Sequence, residues 1–272
     1  MNYRHIYHAG NFADVVKHLA LISVLENLCK KEAPYYFLDA FAGIGLYSLN
    51  SDQASKTGEA DLGINLINKY SGNLPPLLSK YKELVAQYNG LDNSIYPGSP
   101  LIIANYLREK DKADFCELHK EDYQTLSYNM CHYKGCNIAN LDAYTALKAF
   151  LPPKQKRGAI LIDPPFELTN EFDKIISGFE IINKKFSHGT TIIWYPIKNY
   201  KQIKYFYQNL LPFQKEIMKI EFSLPAVQTG LSQIGILIIN PPNIMNILKE
   251  NLEFLKKHIY SGKASFNISL LA

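Results

Sequence analysis

The sequence is poor in the residues from which specialised architectures are made. Glycine and proline number 15 and 14 among 272 residues, too few for a collagen-like or low-complexity chain. Four cysteines, Cys29, Cys116, Cys131 and Cys136, cannot staple a chain of this size, which excludes a disulfide framework. Cys131-His132, with Cys136 and His119 nearby, matches no spacing of paired zinc ligands, and no metal is expected. Arginine is nearly missing: only Arg4, Arg108 and Arg157 occur, and lysine carries most of a net charge of +4. So mild an excess permits a polyanionic partner without requiring one. No charged residue falls between Glu221 and Lys249, yet Pro225, Gln228, Gln233, Pro241, Pro242 and Asn243 interrupt that stretch with groups a bilayer would leave unpaired. No membrane span is therefore expected. The opening Met1-Asn2-Tyr3-Arg4-His5 lacks the apolar core of a secretion signal, so a cytoplasmic location is expected.

What is present is the balance of a folded globular protein, 47% hydrophobic, 12% aromatic and 20% charged. The length suits one domain, or one domain carrying an insertion. Val15, His18, Leu19, Ile22, Leu25 and Leu28 recur at helical spacing and predict an amphipathic helix over Asp14 to Lys30. A strand, Tyr35 to Leu38, follows and ends in Asp39 and the turn Ala42-Gly43-Ile44-Gly45. From about residue 48 to 96 the rhythm is polar and helical, with Ile64, Leu66, Ile67, Leu77, Leu78, Tyr81, Leu84 and Val85 as packing positions, and predicts a small inserted helical subdomain.

Alternating units come next. Helices are predicted over Ser99 to Arg108, Asp122 to Met130, Ala143 to Phe150 and Asn170 to Phe186. The strands between and after them are Ala113 to Leu118, Cys136 to Leu141, Gly158 to Ile162 and Thr190 to Tyr195. Such alternation predicts an α/β fold with a doubly wound, mostly parallel sheet covered by helices on both faces. Two runs without an intervening helix, Ile217 to Leu224 and Gln233 to Asn240, predict a C-terminal antiparallel hairpin, an arrangement usual in Rossmann-like methyltransferases and unusual in dinucleotide dehydrogenases.

In a doubly wound sheet, ligands bind beyond the carboxyl ends of the strands. Asp39-Ala40-Phe41-Ala42-Gly43-Ile44-Gly45 lies at such an end. Its glycines would let a ligand approach the backbone, although it is not the full G-x-G-x-x-G and serves equally as a plain strand-to-helix turn. Glu117 ends the second core strand, where a carboxylate can accept both ribose hydroxyls of an adenosine-containing cofactor. It lies far beyond the ~20 residues of an uninterrupted unit, as an insertion would cause.

Asp163-Pro164-Pro165-Phe166 carries the most specific chemistry. An exocyclic adenine amine is a poor nucleophile because its lone pair is delocalised into the ring. The Asp163 carboxylate and the Pro164 carbonyl could accept its two N–H groups and aim that lone pair at a methyl donor. The prolines stiffen the turn and remove competing amide donors. Phe166 offers a face for an extruded base, worth ~1–3 kcal/mol in single-strand binders. Asn240-Pro241-Pro242-Asn243 lacks the aromatic and reads as a strand terminator.

These segments together resemble one family. Tyr3-Arg4-His5, His8-Ala9-Gly10-Asn11, Ala13-Asp14, Lys17-His18, Leu38-Asp39, Ala42-Gly43-Ile44-Gly45 with Tyr47, Thr57-Gly58-Glu59, Tyr96-Pro97-Gly98-Ser99-Pro100, Glu117-Leu118-His119, Leu161 to Pro165 and Trp194-Tyr195-Pro196 are similar to the bacterial 23S ribosomal RNA adenine-N6 methyltransferases that modify adenine 2030. The likeness runs from Tyr3 to Pro242. It implies S-adenosylmethionine as methyl donor and protein-free 23S ribosomal RNA as substrate, with no metal and no obligate protein partner.

By matched position it implies cofactor contacts at His18, Phe41, Gly43, Ser99, Glu117, Asp142, Ala143 and Asp163. Catalysis falls to Asp163 with Pro164, Phe166 and Lys17, and RNA contact to Tyr3 and Arg4. Phe41 replaces a histidine, which leaves only a backbone or apolar contact there. Phe166 replaces the tyrosine of Asp-Pro-Pro-Tyr, keeping the ring face and losing the phenol. His8 and His18 taken singly would read as core histidines; clustered with Tyr3, Arg4 and Asn11 they read as a pocket or RNA path. The competing readings are a DNA adenine-N6 methyltransferase, for which the insertion is small, a nicotinamide-dependent oxidoreductase, against which the incomplete glycine motif and the hairpin stand, and a non-catalytic RNA-binding protein.

Overall fold

The computed structural model describes residues 8–51, 58–89, 94–225 and 230–271. Helix α1, Phe12–Cys29, is capped by Asn11, whose side-chain oxygen accepts the Asp14 N–H at 3.0 Å. The sequence predicts one buried face, but the helix is buried on nearly every side from Phe12 to Leu25. It is clamped between the sheet and the inserted segment, so even Asp14 and Lys17 lie inside.

Strand β1, Tyr36–Asp39, leads into a small ribbon of β2, Leu46–Ser48, and β3, Ile95–Pro97, which pair antiparallel. Between them lie α2, Ile64–Lys69, and α3, Pro76–Ala86. Ile64, Ile67, Leu77, Leu78, Tyr81, Leu84 and Val85 of this segment are buried in the same apolar cluster as α1, so the insertion shares the main core. The chain continues through α4, Ser99–Tyr106, β4, Lys112–Cys116, α5, Lys120–Met130, β5, Cys136–Ala139, and α6, Ala143–Phe150. Then follow β6, Gly158–Ile162, α7, Glu171–Lys185, β7, Thr190–Pro196, and α8, Tyr200–Leu210. The last elements are β8, Ile217–Ser223, β9, Gln233–Ile239, α9, Met245–Phe254, and β10, Ser265–Leu270.

The eight-stranded sheet has the order β10-β8-β9-β7-β6-β1-β4-β5. The five strands from β7 to β5 run parallel. β9, β8 and β10 add antiparallel pairs. Continuous apolar runs such as Gly158-Ala159-Ile160-Leu161-Ile162, buried at every position, suit a sheet covered on both faces. One core lies between the sheet and α1, the insertion and α9; the other lies beneath α6, α7 and α8. Because β4 and β6 flank β1 on opposite sides, the crevice opens at their carboxyl ends. Among the described residues no helix is long and apolar enough to cross a membrane, and no group of three or more His, Cys, Asp or Glu could hold a metal ion. All four cysteines are free thiols.

Candidate active site

The turn after β1 is tied to both neighbouring strands: Ala40 N–H donates to Leu161 O at 3.0 Å and Ala42 N–H to Cys116 O at 2.9 Å. Gly43 then turns with φ +62°, and a Cβ there would come within 2.3 Å of the Tyr47 hydroxyl. Only glycine fits so tight and left-handed a position. Its N–H donates to Glu117 Oε2 at 3.0 Å while the His119 N–H donates to Oε1 at 2.7 Å. Each carboxylate oxygen is thus aimed by one backbone donor, one residue beyond the end of β4. Burial raises the Glu117 carboxyl above its ordinary range, against the pull of those two donors.

These groups wall a cavity of about 340 Å3. Lys17, His18, Phe41, Gly43, Ser99, Glu117, Asp142, Ala143 and Asp163 all line it. Asp142 caps α6, one oxygen accepting Thr145 N–H at 2.9 Å and the Thr145 hydroxyl at 3.1 Å. Phe41 lies edge-to-face with Tyr144, centroids 6.0 Å apart, and the Tyr144 hydroxyl donates to the buried Glu171 at 3.0 Å. His18 stacks on Tyr96 and shares a 2.8 Å hydrogen bond with its hydroxyl, which in turn meets the Tyr81 hydroxyl at 2.9 Å. The insertion therefore holds a wall residue in place.

Lys17 is the charged centre of the site. Its ammonium donates to Asp14 Oδ1 at 2.7 Å and to Asp163 Oδ2 at 2.6 Å, with only 5% of the side chain exposed. Burial alone would lower its pKa, but the two carboxylates outweigh that and hold it well above the ordinary lysine value. Asp14 is fixed in turn by the Gly10 N–H at 2.9 Å. A fourth ionisable group, Asp39, is fully buried. Burial pushes its carboxyl up to about 7, with the Asp163 charge adding to the rise and Ser99 and Lys17 opposing it. Its Oδ2 makes no hydrogen bond of ordinary geometry among the described residues.

Pro164 and Phe166 are not part of the cavity wall. Pro164 is buried. Phe166 is half-buried, edge-on to Phe172 and Trp194 at 5.1 and 6.0 Å, with φ +51°. An aromatic residue in the left-handed region is strained, and such strain gathers at functional turns. Asn240 lies at the opposite end of the strands, beside the start of β7, where its amide donates to Ser187 O and Gly189 O at 3.0 and 2.9 Å. Tyr3 and Arg4 lie outside the described residues. Sequence reading overlooked Asp14 and Asp39 as members of the charged cluster, although both stood inside the segments it singled out. It also overlooked Tyr144 and Leu141, apolar wall residues that no motif marks.

A family model described as Ribosomal RNA large subunit methyltransferase D, RlmJ, matches residues 32–271. The Haemophilus influenzae protein named Ribosomal RNA large subunit methyltransferase J is 38% identical over 275 residues, covering 98% of both chains. Its Escherichia coli namesake is 38% identical over 246 residues, covering 89% of this chain and 88% of that one. Among solved structures, protein LPL1258 from Legionella pneumophila superposes with a TM-score of 0.89 at 34% identity, covering 96% of this chain and 98% of that one. With the model spanning both the Glu117 and the Asp163 walls of the cavity, the chain belongs to the ribosomal RNA large subunit methyltransferase J family.

Proposed function

We propose that the protein transfers a methyl group from S-adenosylmethionine to the N6 amine of an adenine in 23S ribosomal RNA, at the position corresponding to adenine 2030, within one domain carrying an insertion over about residues 48–96. The carrying observation is Asp163, the residue following β6, facing a cavity whose opposite wall is Glu117 on its two backbone donors. The cavity suits an adenosine-containing donor. Glu117 is aimed to accept ribose hydroxyls, and the Gly43 turn admits a ligand against the backbone. When bound, S-adenosylmethionine supplies an electrophilic methyl on a sulfonium.

Residues of the chain do the rest. Lys17 occupies Asp163 Oδ2, which leaves Oδ1 to accept an N–H of the target amine, and the Pro164 carbonyl accepts the other. That pair draws the nitrogen lone pair out of conjugation and stabilises the positive charge that grows on nitrogen as the C–N bond forms and the C–S bond breaks. One amine proton is released to Asp163 or to water during or after transfer. Lys17 stays an ammonium and acts by fixing and compensating Asp163, since its raised pKa makes it no base. Phe166, beside this turn, receives the extruded base on its ring. Incubation with labelled S-adenosylmethionine and protein-free 23S ribosomal RNA, followed by nucleoside analysis, tests this reading: label is expected in N6-methyladenosine. Label in another nucleoside, or none, refutes it.

A further inference from the structure

Helix α8 begins four residues after β7 ends, on the sheet edge that carries Asp163. Its buried face, Ile203, Phe206 and Leu210, is anchored to the catalytic turn through rings: Phe206 lies 4.9 Å from Phe172, which lies 5.1 Å from Phe166. The opposite face is different in kind. Tyr200, Lys201, Lys204 and Tyr205 follow one another along a single exposed stripe, with Tyr200 65% and Tyr205 49% exposed. The helix contains no acidic residue, and Lys198 stands exposed just before it.

Neither ring is loose. The Tyr200 hydroxyl donates to Gln233 Oε1 at 3.0 Å and accepts from Gln233 Nε2 at 2.8 Å. The Tyr205 hydroxyl donates to Asp173 Oδ1 at 3.0 Å. Large aromatic surface held out in water costs hydration free energy, and pinning it costs side-chain freedom besides. Fixed rings alternating with cations are the combination that binds single-stranded nucleic acid, bases on the rings and phosphates on the cations.

We infer that the outer face of α8 is a docking platform for single-stranded RNA, holding the nucleotides that flank the target adenine as they leave the catalytic turn. The inference rests on the proposed RNA substrate. Tyr200 and Tyr205 stack flanking bases, and Lys198, Lys201 and Lys204 neutralise their phosphates. Because both described arginines are engaged elsewhere in the fold, this lysine cluster supplies the cationic partner on that edge.

The test uses the whole protein with 23S ribosomal RNA transcript, by filter binding across a salt series and by methyl transfer. Tyr200→Ala is expected to weaken RNA binding about tenfold, within the range for losing one base stack, while Tyr200→Phe keeps most of the affinity. Lys201→Ala with Lys204→Ala should flatten the dependence of log K on log salt by about 1.4, two single-strand phosphates' worth. Melting temperature and S-adenosylmethionine affinity should not move in any of them. If wild-type protein methylates the transcript but Tyr200→Ala and the double lysine variant bind it as tightly and with the same salt slope, the platform is refuted and the face serves a different partner. If wild-type protein fails to methylate the transcript, the functional reading falls, and the platform with it.

Discussion

Single side chains decide the chemistry because each charged group in the crevice is aimed by a specific partner. Glu117 is held by two backbone donors, so its loss should be felt by the ligand and hardly by the fold. Glu117→Ala is expected to weaken S-adenosylmethionine binding by about 1.5–3 kcal/mol, the range for charge-assisted hydrogen bonds. Calorimetric titration with unchanged affinity would remove it from the site. Asp163→Ala should abolish methyl transfer in a protein that still folds and binds RNA; turnover by that variant would overturn the role given to the carboxylate. Phe166 packs on Phe172 and Trp194 as well as flanking the turn, so its variants must be melted as well as assayed. Phe166→Ala should cut methylation strongly and Phe166→Tyr preserve it, and a parallel fall of stability and activity in both would assign Phe166 to packing alone. The two described arginines, by contrast, are structural: Arg108 and Arg157 flank the Tyr35 ring at 5.4 and 6.0 Å, far from the crevice at the amino end of β1.

Elements are joined by contacts that no local pattern announces. Helix α3 starts after Pro75, whose side chain cannot cap it, and the buried Leu78 N–H is instead accepted at 3.1 Å by Asn251 of α9. Asn251→Ala should therefore cost about 1–3 kcal/mol of stability through one unpaired buried donor, read from urea denaturation, with S-adenosylmethionine affinity retained. A variant as stable as wild type would mean that water replaces the cap. Legibility in the sequence divides along the same line. The helix Ala143–Phe150 and the strand Gly158–Ile162 have the bounds their periodicity predicts, because burial on both faces of the sheet writes itself into a run of residues. Nine of the proposed site residues meet around one cavity, six of them just beyond the carboxyl ends of β1, β4, β5 and β6, with Lys17 and His18 brought in by α1 and Ser99 by the start of α4.

What stayed hidden was tertiary. The burial of α1 all round depends on a lid of inserted helices, and the ion pair of Lys17 with Asp163 joins residues distant in sequence. Strand β10 did have a signal, since Ser265-Phe266-Asn267-Ile268-Ser269-Leu270 alternates as an edge strand does. Its pairing with β8 needed the sheet.

At the scale of the whole molecule, stability should carry the mark of its buried acid. A carboxyl raised from 3.8 to about 7 binds its proton more tightly in the folded state, so folding stability falls as pH climbs from about 4 to about 7 and stays lower above. His8, raised by its hydrogen bond to Glu59, acts in the same direction at higher pH, its contribution being complete below 6.5 and lost as pH passes its elevated value. Asp39→Asn should melt well above wild type at pH 8 and close to it at pH 4, so that the difference between the two proteins grows with pH. A constant difference would show that folding leaves the Asp39 carboxyl at its ordinary value. Topology has a further consequence for how the protein is made. The central strand β1 finds its two neighbours only in β4 and β6, the second of which starts at Gly158. At ~5–20 residues per second on the ribosome, β1 waits on the order of ten seconds for that partner. During that interval its apolar Tyr36-Phe37-Leu38 core presents bare backbone on at least one side. The yield of active protein is then set by how well the nascent chain keeps one short strand from pairing with the wrong edge, well before the stability of the finished sheet counts.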